Sequence, residues 1–228
     1  MTEAEWMACT DPKPMLEFVR AKASERKLRL FAVACCRRIW PLLTDEQSRT
    51  AVEIAERYAD ATTSEQELSA IAIAIGTNAS FDPDNATVRA AEASIWLDPH
   101  STSHYSAFAA SCDSTRRRRT RAGQHRFLSM NEARNAERLV HCNLLRDLFG
   151  FLAFRPFALA PSWLSWHDCL LVSMAQKMYD SRDFTDMPVL ADALEEAGCQ
   201  DQFILGHCRS AGEHVRGCWL VDALLGKE

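Results

Sequence analysis

Residues 190–226, LADALEEAGCQDQFILGHCRSAGEHVRGCWLVDALLG, decide how the chain is read. At 100° per residue, the segment from Glu213 to Leu225 sets His214, Cys218, Val221 and Leu225 on one side of a helix, with Val215, Trp219 and Ala223 on a neighbouring one. A helix with so little polar circumference belongs at the centre of its domain. The spacing therefore predicts an all-α fold, a compact multi-helix domain with short loops packed on this last helix.

Working outward, helices are expected at 202–209, at 186–197 with Pro188 in the first turn and Gly198 as the stop, and at 167–180. The stretch FLAFRPFALAPSWLSW at 151–166 is aromatic and broken by prolines, and is expected as an extended cover over the core. Ser129 with Glu132 forms a capping box that opens a helix reaching Gly150. Thr2 with Glu5, Thr44 with Gln47 and Ser64 with Glu67 repeat that signature, and the last two mark helices at 45–60 and 65–76. Asp11, Pro12 and Pro14 break the first helix, and Met15 to Ala23 forms the second. Ser24 caps a longer helix to Trp40, with Leu28, Phe31, Ala32, Cys35 and Ile39 as its buried stripe. Arg26, Lys27, Arg29, Arg37 and Arg38 are left for its rim. Asp82 with Pro83 reads as the start of a helix through Val88, Ala91 and Ile95 to Trp96, which Asp98-Pro99 ends. Three parts are expected, 1–97, a Ser- and Arg-rich mobile loop or linker at 98–128, and 129–228, packed together as one domain.

At 228 residues and 47% hydrophobic content the chain buries a core without staples. Its net charge of -5 speaks against wholesale capture of nucleic acid, but the charge is uneven. Residues 113–126 hold six arginines, Arg116, Arg117, Arg118, Arg119, Arg121 and Arg126, against the single acid Asp113. The opening MTEAEWMACT is acidic and polar where a secretory signal is basic and then apolar, so a reducing, cytoplasmic compartment is expected. The nine cysteines are then free thiols, mostly small buried hydrophobes. The longest apolar run, near Leu148–Leu164, is interrupted by Arg155, Pro156 and Pro161, so no membrane segment is expected.

The motifs MTEAEW, CCRRIW at 35–40, RDLFG and FRP at 146–156, WLSW at 163–166, and the closing LADALEEAGC, HCR, HVRGCW and LLGKE resemble a large paralogous family of uncharacterised planctomycete-type bacterial proteins. The resemblance covers most of 1–60 and 136–228. It implies a helical fold and brings no activity, cofactor or substrate. The arginine cluster departs from the alanine-rich middle of that family.

Cys199, His207, Cys208, His214 and Cys218 form the sharpest chemical constellation, and Cys199, Cys208, His214 and Cys218 supply a candidate zinc set. His214 and Cys218, four apart, would leave one helix face as an N/S pair. Eight residues separate Cys199 from Cys208, whereas structural zinc pairs commonly leave about two to four, so a packed helix face accounts for the same pattern. Arg116, Arg117, Arg118 and Arg119 could neutralise phosphates, but no aromatic residue lies among them for base stacking, and nucleic acid is not favoured. Trp163 and Trp166 offer an aromatic groove for a partner peptide, or else seal the core, which is the preferred reading. No GxSxG, HExxH, GK[ST] phosphate loop or GxGxxG occurs, so no catalytic motif is recognised and an enzyme is not favoured, although a Cys–His nucleophile could be assembled in the fold from a pair that nothing in the sequence selects. The sequence points to a helical binding or scaffolding module for an unknown protein partner, without a cofactor. The alternatives are a zinc-binding module and a nucleic-acid-associated protein.

Overall fold

The computed structural model describes residues 1–78, 86–95, 97–104, 106–107, 129–151, 154–155 and 159–227. Among these the chain is helical and has no strand, as the sequence periodicity predicts. Its contacts divide it into two compact units, Met1–Leu145 and Arg146–Glu228.

The first unit is organised around the helix Glu25–Arg38. Ser24 starts it by accepting the Lys27 N–H, and every residue from Lys27 to Cys36 is buried. Val33, Cys36, Ile39 and Leu43 meet Val52, Ala55 and Ala90 in one core cluster, and Ile54, Leu68, Ala72 and Ile75 meet Ile95 in a second. The helices Glu46–Ala59, Glu65–Asn78 and Ala86–Ile95 supply these faces. The expected cationic rim is only partly a rim, because Lys27 and Arg29 are buried. Arg29 donates to the carbonyls of Ser94 (3.3 Å) and Ile95 (2.7 Å), the last of the Ala86–Ile95 helix. Such carbonyls have no intrahelical donor, and a cation satisfies both their lone pairs and the helix dipole.

The capping boxes at Thr2/Glu5, Ser64/Glu67 and Ser129/Glu132 all form. At 44–47 the cap is Asp45 instead of Thr44, since one carboxylate takes both the Gln47 and Ser48 N–H groups. Asp11 and Pro12 start the helix Pro12–Val19 as its cap and first residue, so they open the second helix that they were expected to precede. The helix Glu65–Asn78 continues past Gly76. Residues 99–104 and 106–107, inside the expected linker, are helical, and the Asp98 carboxylate accepts the Ser101 N–H at 3.1 Å. The Asp82-Pro83 start and the arginine cluster lie outside the described residues.

The second unit comprises the last turn of the helix Met130–Phe149, then Pro161–Ser165, Leu170–Ser181, Met187–Glu196, Gln202–Cys208 and Trp219–Leu224. Trp219, Leu220, Tyr179, Leu190, Leu194 and Leu205 are among the residues of its core. Gly150 and Gly198 end their helices in left-handed conformations, φ +48° and +93°. The expected helix from Glu213 to Leu225 is not formed over its first half; only Trp219–Leu224 is helical. Residues 210–217 carry glycines at 212 and 217, and the Val215 N–H is taken by the Asp147 carboxylate, which replaces a helical carbonyl. His214 and Cys218 are therefore not side by side on a helix face.

Candidate metal centre

Asp147 sits in the last turn of the helix Met130–Phe149 beside the buried Leu148 and Phe149, so the apolar stripe carries a carboxylate inside with it. A buried carboxylate requires partners. The Val215 N–H donates to its Oδ2 at 2.9 Å, His214 Nδ1 lies 2.6 Å from Oδ1, and His207 Nε2 lies 3.5 Å from the same Oδ1. His207 Nε2 is also 3.1 Å from Cys218 Sγ. Cys218 is fully buried and immediately precedes the helix Trp219–Leu224, following Gly217 at φ +91°. The ligand-capable atoms of Asp147, His207, His214 and Cys218 all lie within 4.8 Å of one another.

The two imidazoles meet edge to face at 4.8 Å, and His207 also packs 5.0 Å from the Trp219 ring. Burial pulls the His207 pKa down to about 4; Asp147 opposes the fall and His214 adds to it. At neutral pH this ring is uncharged and keeps a lone pair, the form that ligates metals. The Nε2 of His214 is buried and makes no hydrogen bond among the described residues.

A Cys–His–Asp relay is not what these atoms form. Such a relay needs the thiol on one imidazole nitrogen and the carboxylate on the other, whereas Cys218 and Asp147 both approach His207 Nε2. Such convergence is compatible with a coordination sphere. With Zn–N near ~2.0 Å and Zn–S near ~2.3 Å, a tetrahedral site has ligand–ligand edges of roughly 3.2–3.8 Å. The 3.1 Å and 3.5 Å separations around His207 are close to that, and the His214–Asp147 contact would have to widen. Charge favours a dication, since one carboxylate and one thiolate together balance it in a site that excludes water.

Of the zinc set expected from sequence, His214 and Cys218 belong to this group and Cys199 and Cys208 do not. Cys199 and Cys208 are buried in the apolar core of the unit and lie outside the group of converging ligand atoms. Neighbours on a helix point about 100° apart, so the helix Gln202–Cys208 can present His207 to the site and Cys208 to the core. Asp147 had one signal in the sequence, an acid directly before Leu148 in an otherwise apolar stripe. Trp163 is buried in the core and Trp166 packs against it partly buried. Arg116, Arg117, Arg118 and Arg119 lie outside the described residues. Among the described residues no helix is long and apolar enough to cross a membrane.

Compared with protein-family models, with curated proteins and with solved structures, the chain matches none.

Proposed function

We propose that residues 146–228 form a zinc-binding module in which Asp147, His207, His214 and Cys218 hold one structural ion. The observation that carries this reading is the convergence of four donors of three kinds, buried or half-buried, within 4.8 Å of one another. Four protein ligands leave no open position, which suits a structural role over a catalytic one. The mixed nitrogen, sulfur and oxygen set suits borderline-soft zinc better than calcium or magnesium, which take oxygen ligands.

Protein from zinc-supplemented cells should contain close to one equivalent of zinc by elemental analysis. Cobalt loaded into the metal-free protein should give the absorption of a tetrahedral site with a thiolate ligand, and Cys218→Ala should abolish it. Metal content near zero, together with no spectral change on adding cobalt, overturns the proposal.

The expectation of an interaction module is a second reading. It draws support from Leu164, Leu170, Val189 and Phe203, which are exposed in the same unit, although single exposed apolar side chains are ordinary on protein surfaces. Its cytoplasmic location is part of the proposal, supported by cysteines that form no disulfide among the described residues. Membership of the paralogous bacterial family is supported by the motifs quoted above.

A further inference from the structure

The first unit contains a second polar constellation, independent of the metal centre. His141 and Glu137 stand four residues apart on the helix Met130–Phe149, with His141 fully buried. Arg38 holds the Glu137 carboxylate through Nε (2.5 Å) and Nη2 (3.1 Å). The carboxylate lies 3.5 Å from His141 Nε2. A carboxylate accepts only, so it fixes the proton of the neutral ring on Nε2 and leaves the lone pair on Nδ1. That lone pair is 2.9 Å from the Ser103 Oγ. The Ser106 hydroxyl, 3.4 Å from Nε2, donates to the Ser103 carbonyl and leaves Nδ1 to Ser103 alone among the described residues.

Ser103 also lines an open cavity of about 650 Å³. The other lining groups include Lys13, Arg20, Arg134 and Arg138, which outnumber Asp11 and Glu17. Asp11 is already paired with Arg138 at 2.5 Å. The cavity is thus a cationic hollow in a chain whose net charge is -5.

We infer that Ser103 is the nucleophile of a Ser–His–Glu site, with His141 as general base and Glu137 as the residue that positions it, acting on acyl esters that carry a negative charge. No linear motif announces such a site, because triads are defined by geometry and roles and recur in unrelated chain orders. The ring nitrogens exchange the duties they have in the chymotrypsin arrangement, which leaves the chemistry unchanged. Ser103 Oγ bonds to the ester carbonyl carbon as its proton passes to His141 Nδ1. The C–O bond to the alcohol then breaks and His141 returns that proton to the leaving oxygen. Water repeats the sequence on the acyl-serine and releases the acid, so one ester and one water give one acid and one alcohol. The cationic rim attracts the anionic end of the substrate.

The test is covalent. Full-length protein is treated with a fluorophosphonate probe and digested, and the adduct is mapped by mass spectrometry, with a helical melting curve recorded for each variant. Wild type should carry the adduct on Ser103, and Ser103→Ala should carry none while melting as a folded protein. His141→Gln should slow labelling by about 10²-fold or more, the usual share of a general base. Glu137→Gln should also slow it, and Glu137→Asp should recover part of the rate. The mono-p-nitrophenyl ester of succinate should be hydrolysed faster than neutral p-nitrophenyl butyrate. Absence of a Ser103 adduct in folded wild-type protein overturns the inference, as does labelling that is unchanged in folded His141→Gln. Equal rates for the two esters overturn the assignment of an anionic substrate.

Discussion

A β-carbon at Gly150 would stand 2.6 Å from Cδ1 and 2.7 Å from Nε1 of Trp219, so the indole occupies the space that any other residue would need. The left-handed backbone at this position, φ +48°, penalises a side chain independently. Gly150→Ala is expected to cost roughly 2–5 kcal/mol, combining overpacking with backbone strain. Urea unfolding followed by tryptophan fluorescence measures it, and a loss under about 0.5 kcal/mol would mean the indole moves aside freely.

Trp219 and Cys218 are adjacent, and their alanine variants separate packing from coordination. Trp219→Ala removes a buried anchor of the second core and should cost about 3–5 kcal/mol. Cys218→Ala, judged by volume alone, should cost only about 1–2 kcal/mol. If the thiol ligates zinc, its loss also forfeits binding energy that contributes to folding, so Cys218→Ala should match or exceed Trp219→Ala. A strong chelator should then lower the melting temperature of wild type and leave that of Cys218→Ala unmoved. A wild-type melting temperature indifferent to chelator, with Cys218→Ala mild, identifies packing alone.

Burial works to raise the Glu137 pKa, but the hydrogen bond from His141 and the contact with Arg38 outweigh it and hold the carboxyl at about 2. Because the folded value lies below the unfolded one, the stabilisation is complete above the ordinary glutamate range and disappears as pH falls. It amounts to on the order of 3 kcal/mol, lost between roughly pH 5 and pH 2. Stability measured against pH should decline over that window, and Glu137→Gln should flatten the decline. An unaltered slope in the variant would assign the acid sensitivity to other carboxylates.

Cys35, Cys36, Cys142, Cys199, Cys208 and Cys218 are buried, Cys9 is half-buried and Cys169 is exposed. Burial pushes Cys36 up to about 12 and Cys35 well above its usual range, so neither provides thiolate at neutral pH. Among the described cysteines, a maleimide reagent should modify Cys169 first in native protein and reach the buried set only after denaturation. Fast native labelling of Cys35 or Cys36 would contradict the core around the helix Glu25–Arg38.

The features legible from sequence are those whose physics is local. A hydroxyl and an acid three residues apart signal a capped start wherever they fall, and Thr2, Ser64 and Ser129 all behave so. Gly150 and Gly198 likewise stop helices through their own backbone freedom. Arg29 defeats such reading because what draws it inward is a pair of carbonyls 65 and 66 residues away. The proposed metal site was half legible, and for a mistaken reason. His214 and Cys218 meet through a glycine-punctuated turn tied down by Asp147, and not through helical spacing. His207 stood in the sequence constellation but not in the ligand set drawn from it, and its pairing with Asp147 was not readable because nothing in the local pattern records a contact made across 60 residues of chain.

His207, His214 and Cys218 fall within a single stretch of twelve residues, and only Asp147 comes from far away in the chain. Closing a loop that short costs little chain entropy, and the cost grows only slowly with length. If the proposed site takes zinc, three ligands from the C-terminal segment can seize the ion first, with Asp147 completing the set as the unit closes. Zinc present during refolding should then accelerate the appearance of native fluorescence, while zinc added after folding should change stability alone; on the proposed reading the ion would be an early participant in assembly.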